Sequence, residues 1–146
     1  MAPATGYMGE IIMAEFESKE VVLNADQNTV YAFLSDFRNF NKLIPKQIEE
    51  WEATADFCSF KAENAGQVRL KYKTRNTDLI EIEPDMNLPV SGEITLFVKL
   101  KDQVPNTLAT IGMKISIPPM FSMMLNRPLK KLLEIIAESL QKHFNG

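Results

Sequence analysis

The chain has 146 residues, of which 45% are hydrophobic and 24% are charged, as is typical of one globular domain with a core of its own. Its formal net charge of -3 disfavours a general binder of nucleic acid or of anionic membranes, because neither would be attracted overall. A single cysteine, Cys58, cannot form an internal disulfide, which favours an intracellular, cytoplasmic protein.

The first residues carry no recognisable targeting signal. No Lys or Arg precedes residue 19, and no apolar run has the length of a signal peptide. No stretch approaches the roughly 18 apolar residues of a membrane-spanning helix. Met8 and Met13 are alternative starts to Met1. We therefore expect residues 1–14 to be a flexible tail, and residues 15–146 to form one domain without an integral membrane segment.

The next segment predicts a strand followed by two short helices. Residues 16–23 are compatible with an edge or half-exposed strand. Helical spacing then relates four apolar residues, Val30, Phe33, Leu34 and Phe37, and Asp26 stands at the N-cap position. A second helical piece is expected after Asp36, and Pro45 ends it because proline does not fit an interior helical position.

Residues 47–117 predict about six short strands separated by turn residues. No helix-length crossover separates them, so an antiparallel meander is favoured, and the whole sheet has about 6–7 strands. Alternation places the basic residues of 67–75 (Arg69, Lys71, Lys73 and Arg75) on the face opposite Val68, Leu70 and Tyr72. A turn centred on Thr77 would put Lys71 opposite Glu83 and Lys73 opposite Glu81.

A long amphipathic helix closes the chain. Its apolar face contains Leu125, Leu129, Leu132, Leu133, Ile136, Leu140 and Phe144. Pro128 allows two interpretations: the helix is kinked there, or a new helix begins with Asn126 as its cap. Met120, Phe121 and Met124 precede this point. Methionine fills irregular space at little cost, so these residues are either the wall of a pocket or plain core.

Few residues suggest catalytic chemistry. Zinc sites draw mainly on Cys and His, and this chain has one of each, far apart in sequence, so no metal is predicted. His143 lies four residues from the end, where chains fray, and Cys58 is interpreted as a small buried hydrophobe. The chain lacks a Gly-rich phosphate-binding loop. We therefore expect no cofactor and name no catalytic residue.

The order of elements and one motif resemble a known superfamily. Residues 30–45, VYAFLSDFRNFNKLIP, resemble the helical signature of the START-like, SRPBCC (polyketide cyclase/dehydrase-like) superfamily, and the IEEWEA segment with Trp51 is similar to its next strand. The match in element order extends from about residue 15 to 144. The resemblance implies an α+β helix-grip fold, in which a curved antiparallel sheet wraps around the C-terminal helix and encloses an apolar cavity.

The implied function is non-catalytic binding or transport of a hydrophobic small molecule such as a lipid, an isoprenoid or quinone, or a polyketide. Two alternatives stay open: a cyclase- or dehydratase-like enzyme using Tyr72 with a carboxylate, and a protein-interaction module using the exposed sheet face, through its charged strand faces or an outward-facing Phe97 beside Lys99 and Lys101. The cavity candidates are Phe40, Trp51, Leu70, Tyr72, Ile82, Met113, Met120, Phe121, Met124 and Leu125.

Overall fold

The computed structural model describes residues 11–45, 48–62, 66–85 and 93–145. Eight strands lie within them: β1 (Ile12–Glu17), β2 (Val21–Leu23), β3 (Ile48–Ala53), β4 (Phe57–Ala62), β5 (Gly66–Arg75), β6 (Leu79–Pro84), β7 (Ile94–Gln103) and β8 (Asn106–Ile117). The helices are α1 (Gln27–Leu34), a 3-10 helix (Phe37–Lys42) and α2 (Pro119–Asn145). The predicted α+β class and the six strands after residue 47 are confirmed.

All eight strands form one curved antiparallel sheet. Its order is β1-β8-β7-β6-β5-β4-β3, and the short β2 pairs with β8 beside β1. The sheet has one strand more than expected because the predicted first strand is interrupted at residues 18–20. Ser18 nevertheless stays attached to β8: its backbone N–H donates to the Ile111 carbonyl, and its hydroxyl accepts from the Ile111 N–H.

The sheet also begins earlier than the predicted domain boundary. Residues 12–14, which the sequence assigned to the tail, pair with residues 115–117 of β8. Phe16 is buried rather than half-exposed. Residues 1–10 lie outside the described residues, so a flexible tail there stays a prediction.

The helical caps are those that the sequence predicted. Asp26 accepts a hydrogen bond from the Thr29 N–H at the start of α1, and Asp36 accepts one from the Arg38 N–H at the start of the 3-10 helix. These bonds satisfy backbone donors that have no partner within the helix. The 3-10 helix ends before Pro45. Val30, Leu34 and Phe37 are fully or almost fully buried.

A β-bulge changes the face of one predicted residue. The pairing of β5 with β6 shifts between Tyr72 and Thr74, so Arg75 lies opposite the buried Ile80. Its guanidinium lies 4.4 Å from the centre of the Tyr72 ring. Arg75 is therefore on the inner face, and its predicted place in the outer basic stripe is wrong. A bulge adds one residue to a strand and reverses the alternation beyond it, which a period of two cannot foresee.

The same bulge decides the cross-strand pairs. Lys71 lies opposite Glu83 as predicted, but Thr74, not Lys73, lies opposite Glu81 and donates a hydrogen bond to its carboxylate. Lys71 forms its ion pair with Asp85, at 3.7 Å. The basic stripe is thus partly neutralised by neighbouring acids, at partly exposed sites where each pair stabilises little.

Phe97 is not the exposed aromatic that the sequence predicted. It shares the outer face with Lys99, yet only 2% of it is exposed. Its ring lies against Gly112 on β8, where an added Cβ would stand 2.0 Å from a ring carbon. Lys99 and Lys114 lie over the ring, with their ammonium groups at 5.2 and 5.7 Å from its centre. The missing side chain at Gly112 makes room for the ring to lie flat on the sheet.

Helix α2 is one continuous helix that includes Pro128. It packs against β1, β2 and β8, and Leu133, Ala137 and Leu140 are fully buried. Hydrogen bonds fix its C-terminal end, because Gln141 and Asn145 both donate to the Val22 carbonyl of β2. An exposed ion pair, Lys19 with Glu138, lies beside them at 3.1 Å.

Candidate functional site: an apolar cavity under the C-terminal helix

A cavity of about 140 Å³ lies between the concave face of the sheet and α2. The strands contribute Ile48, Trp51, Phe60, Leu70, Ile82, Leu96, Phe97, Val98 and Ile111, and the helical segments contribute Leu34, Phe40, Leu43, Ile44, Pro45, Leu133 and Ile136. Every layer of the fold that surrounds the interior therefore supplies part of the wall.

The lining is apolar throughout. None of the described residues named in the wall has a carboxylate, imidazole, thiol, hydroxyl or ammonium group, and the indole N–H of Trp51 is their only polar side-chain group. Transfer of a charged or strongly polar group into such a site without a partner is costly. The cavity therefore suits a hydrocarbon or an aromatic ring, and it offers no acid or base for catalysis.

Its volume limits what fits without movement. A dry cavity of about 150 Å³ in another protein accommodates a benzene molecule, whereas sites for drug-sized ligands occupy about 300–1,000 Å³. The cavity described here thus holds one ring or a short branched chain. A longer ligand requires the wall to move or part of the ligand to lie outside.

A β-bulge turns Trp51 into the cavity. Between Glu49 and Glu52 the register of β3 with β4 shifts, so that Glu50 and Trp51 together lie opposite Phe60. Glu50 adopts a left-handed conformation with φ of 54°. Strict alternation would put Ile48 and Trp51 on opposite faces, yet both line the cavity. The extra residue in the bulge brings Trp51 to the same face as Ile48. Its indole stacks on Phe60 with ring centres 5.7 Å apart.

Four of the ten residues predicted to face a cavity line it: Phe40, Trp51, Leu70 and Ile82. Met113 and Leu125 are partly buried against the core beside it, and Tyr72 also packs there. Met120, Phe121 and Met124 are 70%, 46% and 64% exposed, so in this structure they are neither pocket wall nor plain core. The other wall residues were not predicted as such; among them, Leu43, Ile44 and Pro45 could have been suggested by their position directly after the 3-10 helix, close to Phe40.

Tyr72 is held by the fold rather than presented to the cavity. Its hydroxyl donates a hydrogen bond of 2.6 Å to the Leu34 carbonyl, and its ring stacks on Phe37 with ring centres 4.2 Å apart. Burial raises the pKa of Tyr72 well above its usual range, although the nearby Arg75 acts in the opposite direction. These contacts tie the end of α1 to β5. The predicted partnership with a carboxylate has no counterpart among the hydrogen bonds of the described residues.

The remaining reactive groups lie outside the cavity. Burial raises the pKa of the Cys58 thiol to about 12, so the thiol stays protonated near neutral pH, consistent with its interpretation as a small hydrophobe. His143 stacks on Phe33 with ring centres 4.3 Å apart. The pKa of His143 is lowered, mainly by partial burial and also by the nearby positive charge of Lys42. Ser35 Oγ is buried without a hydrogen-bond partner among the described residues, but it ends α1 and does not line the cavity.

Neither a metal-binding cluster nor a membrane-spanning helix occurs among the described residues. No group of three or more His, Cys, Asp or Glu side chains among them is arranged to hold a metal ion. Across the same ranges, no helix combines the length and the apolar character that crossing a membrane requires.

Solved structures with the same architecture are numerous. A START superfamily protein from Mycobacterium smegmatis superimposes with a TM-score of 0.68 at 14% identity, over 90% of this chain and 97% of that one. The chain has the START-like, helix-grip fold. Norcoclaurine synthase from Thalictrum flavum matches with a TM-score of 0.70 at 11% identity, over 94% of this chain and 89% of the synthase.

A third helix-grip structure, the di-domain ARO/CYC protein StfQ of the steffimycin biosynthetic pathway, matches with a TM-score of 0.69 at 12% identity, over 91% of this chain and 51% of StfQ. The structural similarity establishes the fold, but sequence identities this low leave the activity open. No family model matches the chain, and no curated protein matches its sequence. The lining of its own cavity is therefore the main indication of what this helix-grip protein does.

Proposed function

We propose that this helix-grip protein binds a hydrophobic small molecule without transforming it, and that the cavity under α2 receives the apolar part of that molecule. The observation that carries the proposal is the lining, in which the described wall residues are apolar apart from one indole N–H. Burial of apolar surface supplies about 25 cal/mol per Å², so a hydrocarbon chain or ring is stabilised there without any polar contact.

The ligand class follows from the shape and the chemistry of the cavity. A single ring or a branched five-carbon unit matches about 140 Å³, which suits an isoprenoid, a quinone ring, a lipid chain end or an aromatic polyketide. Their polar groups have no partner among the described wall residues, so they are expected to lie outside the cavity. A protein of this kind would carry or shield its ligand.

An enzymatic role has less support. Norcoclaurine synthase and StfQ share the fold, and their names are those of an enzyme and of an aromatase/cyclase. In this chain, however, the Tyr72 hydroxyl is engaged with the Leu34 carbonyl, and no acid or base faces the cavity among the described wall residues. A protein-interaction role through Phe97 loses its basis because that ring is buried.

Trp51 makes the proposal directly testable, because it is the only tryptophan of the chain and it lines the cavity. Titration with cis-parinaric acid, a polyene lipid that absorbs at the wavelengths where tryptophan emits, should quench Trp51 emission to saturation. Ile82→Phe, which adds bulk in the cavity, should weaken this quenching at least tenfold. Met113→Phe, on the same face but outside the named wall, is the matched control and should leave it within about twofold.

Native mass spectrometry of protein purified from its own host, followed by organic extraction, would identify the bound molecule. The proposal fails if no apolar compound is released and cis-parinaric acid leaves Trp51 emission unchanged. It also fails if Ile82→Phe and the wild type bind the lipid equally, because the lipid would then lie elsewhere.

A further inference from the structure

The first turns of α2 carry an unusual concentration of exposed apolar side chains. Met120, Phe121, Met123 and Met124 are 70%, 46%, 83% and 64% exposed. We call these four residues the apolar tip. Large apolar residues that are scattered singly over a surface are ordinary, whereas a contiguous group of them marks a binding surface. The described fold leaves about half or more of each of these side chains in solvent.

The arrangement of the tip distinguishes between kinds of partner. At about 100° per residue, the four side chains spread over roughly 160° of the helix circumference. Met120, Met123 and Met124 keep the spacing of three and four residues at which a helix docks in a protein groove or a coiled coil, and Phe121 widens the apolar surface beyond such a stripe. Side chains that radiate in several directions are better covered by a fluid apolar medium, which surrounds the helix end.

Three cations follow the tip on the same helix. Arg127, Lys130 and Lys131 are exposed, and none of them forms an ion pair with another described residue. We call them the basic collar. Glu134 follows within one turn, but no ion pair joins it to the collar. At about 1.5 Å per residue, the collar lies roughly 10 Å along the helix from the middle of the tip.

This spacing matches the interface of an anionic membrane. Apolar side chains of peripheral helices enter the boundary between headgroups and acyl chains to a depth of about 5–10 Å, while Lys and Arg remain at the headgroups. We propose that the start of α2 docks this protein on an anionic lipid surface, with the apolar tip inserted and the basic collar against lipid phosphates. The negative net charge of the chain does not oppose this, because the attraction is local and decays within about 10 Å.

The docking surface is independent of the cavity. None of the seven residues involved belongs to the named cavity wall. A failure of vesicle binding would therefore leave ligand binding intact, and a failure of ligand binding would leave docking intact.

The test is flotation of the full chain with vesicles of phosphatidylcholine alone or of an equal mixture of phosphatidylcholine and phosphatidylglycerol. The wild type should bind the anionic vesicles, and added salt should weaken this binding. The variant R127Q/K130Q/K131Q should reduce the partition by about fivefold for each cation removed, or on the order of 100-fold in total. The variant M120S/M123S/M124S should abolish binding without loss of fold, because these side chains are exposed.

Matched controls separate the tip and the collar from general effects of charge and hydrophobicity. K61Q/K73Q/K101Q removes three exposed lysines elsewhere, and Ile135→Ser removes an exposed apolar residue from the same helix. Both should bind like the wild type. Phe121→Trp in a Trp51→Phe background should show a blue shift of its emission on anionic vesicles only.

Three results would overturn the proposal. One is a wild type that floats with neither kind of vesicle. Another is equal binding by the tip or collar variant and its control. The third is a concentration-dependent dimer in sedimentation that M120S/M123S/M124S dissociates, because the tip would then be an interface between copies of the chain.

Discussion

The two ends of α2 differ although one sheet lies under the whole helix. At the C-terminal end, Leu133, Ala137 and Leu140 are fully buried, and Ala109 of β8 is as well. Towards the other end, Leu129 and Leu125 are partly exposed, as are Met113 and the rest of β8 after it, and the apolar tip lies in solvent. Burial therefore falls in the same direction along the helix and along the strand.

The difference follows from what lies beside each end. At the C-terminal end, β2 pairs with residues 107–109 of β8 and accepts the hydrogen bonds from Gln141 and Asn145, while α1 packs against β7 and β8. No described hydrogen bond from a side chain fixes the start of α2 in the same way. An amphipathic helix is thus packed only as far as neighbouring elements cover both of its sides.

The largest expected effect tests the packed end. Leu140→Ala should lower the free energy of unfolding by about 3 kcal/mol, because a fully buried leucine leaves a cavity when it is truncated. The matched variant Met124→Ala, at a residue that is 64% exposed, should change it by less than about 0.5 kcal/mol. Urea unfolding measures both. Equal losses would mean that the two ends are packed alike.

A pair of substitutions in β6 tests where the packed core ends and the cavity begins. Ile80 and Ile82 lie on the same face of β6, but only Ile82 is in the cavity wall. Ile80→Phe should cost about 1–3 kcal/mol because it overpacks the core, whereas Ile82→Phe should be close to neutral because the ring enters the cavity. Thermal unfolding distinguishes them, and an equal cost would argue against an empty cavity.

Tyr72 sharpens the comparison, since it belongs to the packed region next to the cavity. Tyr72→Phe should destabilise the fold by about 1–2 kcal/mol, because the Leu34 carbonyl loses its donor in a partly buried place. Quenching of Trp51 by cis-parinaric acid should be unchanged in this variant. Lost binding with intact stability would instead assign the hydroxyl to the ligand.

The smallest expected change in stability concerns the bulge that brings Trp51 into the cavity wall. Glu50 has φ of 54°, which is unfavourable for any residue with a Cβ. Glu50→Gly should raise the free energy of unfolding by roughly 0.5–1 kcal/mol and leave the emission maximum of Trp51 unchanged. Glu49→Gly, at an ordinary strand position beside it, should be destabilising by a similar amount. Stabilisation by both would argue against strain at Glu50.

Much of the fold was predictable because it depends on local patterns. Turn residues and alternation gave the last six strands to within a few residues, and Asp26 and Asp36 marked the helix starts through their capping chemistry. The bulges at Trp51 and after Tyr72 were not predictable, because an inserted residue reverses the faces without changing the composition.

The site was predictable only in part for a related reason. Burial depends on neighbours that are distant in sequence. Phe97 is covered because a glycine lies opposite it on another strand, and the methionines at the start of α2 are exposed because none of the described elements covers them. Leu70 and Ile82 lie on the face that alternation predicts, because their strands keep strict alternation up to the positions that form the wall.

Pro128 lies between the exposed start of α2 and its packed remainder. Since proline has no N–H, the Met124 carbonyl receives no hydrogen bond from residue 128, and the ring crowds that carbonyl. The helix is therefore easiest to bend one turn after the tip. A force applied to the first two turns would be absorbed at this joint before it reached Leu140, so the exposed part can tilt while the hydrogen bonds to β2 stay in place.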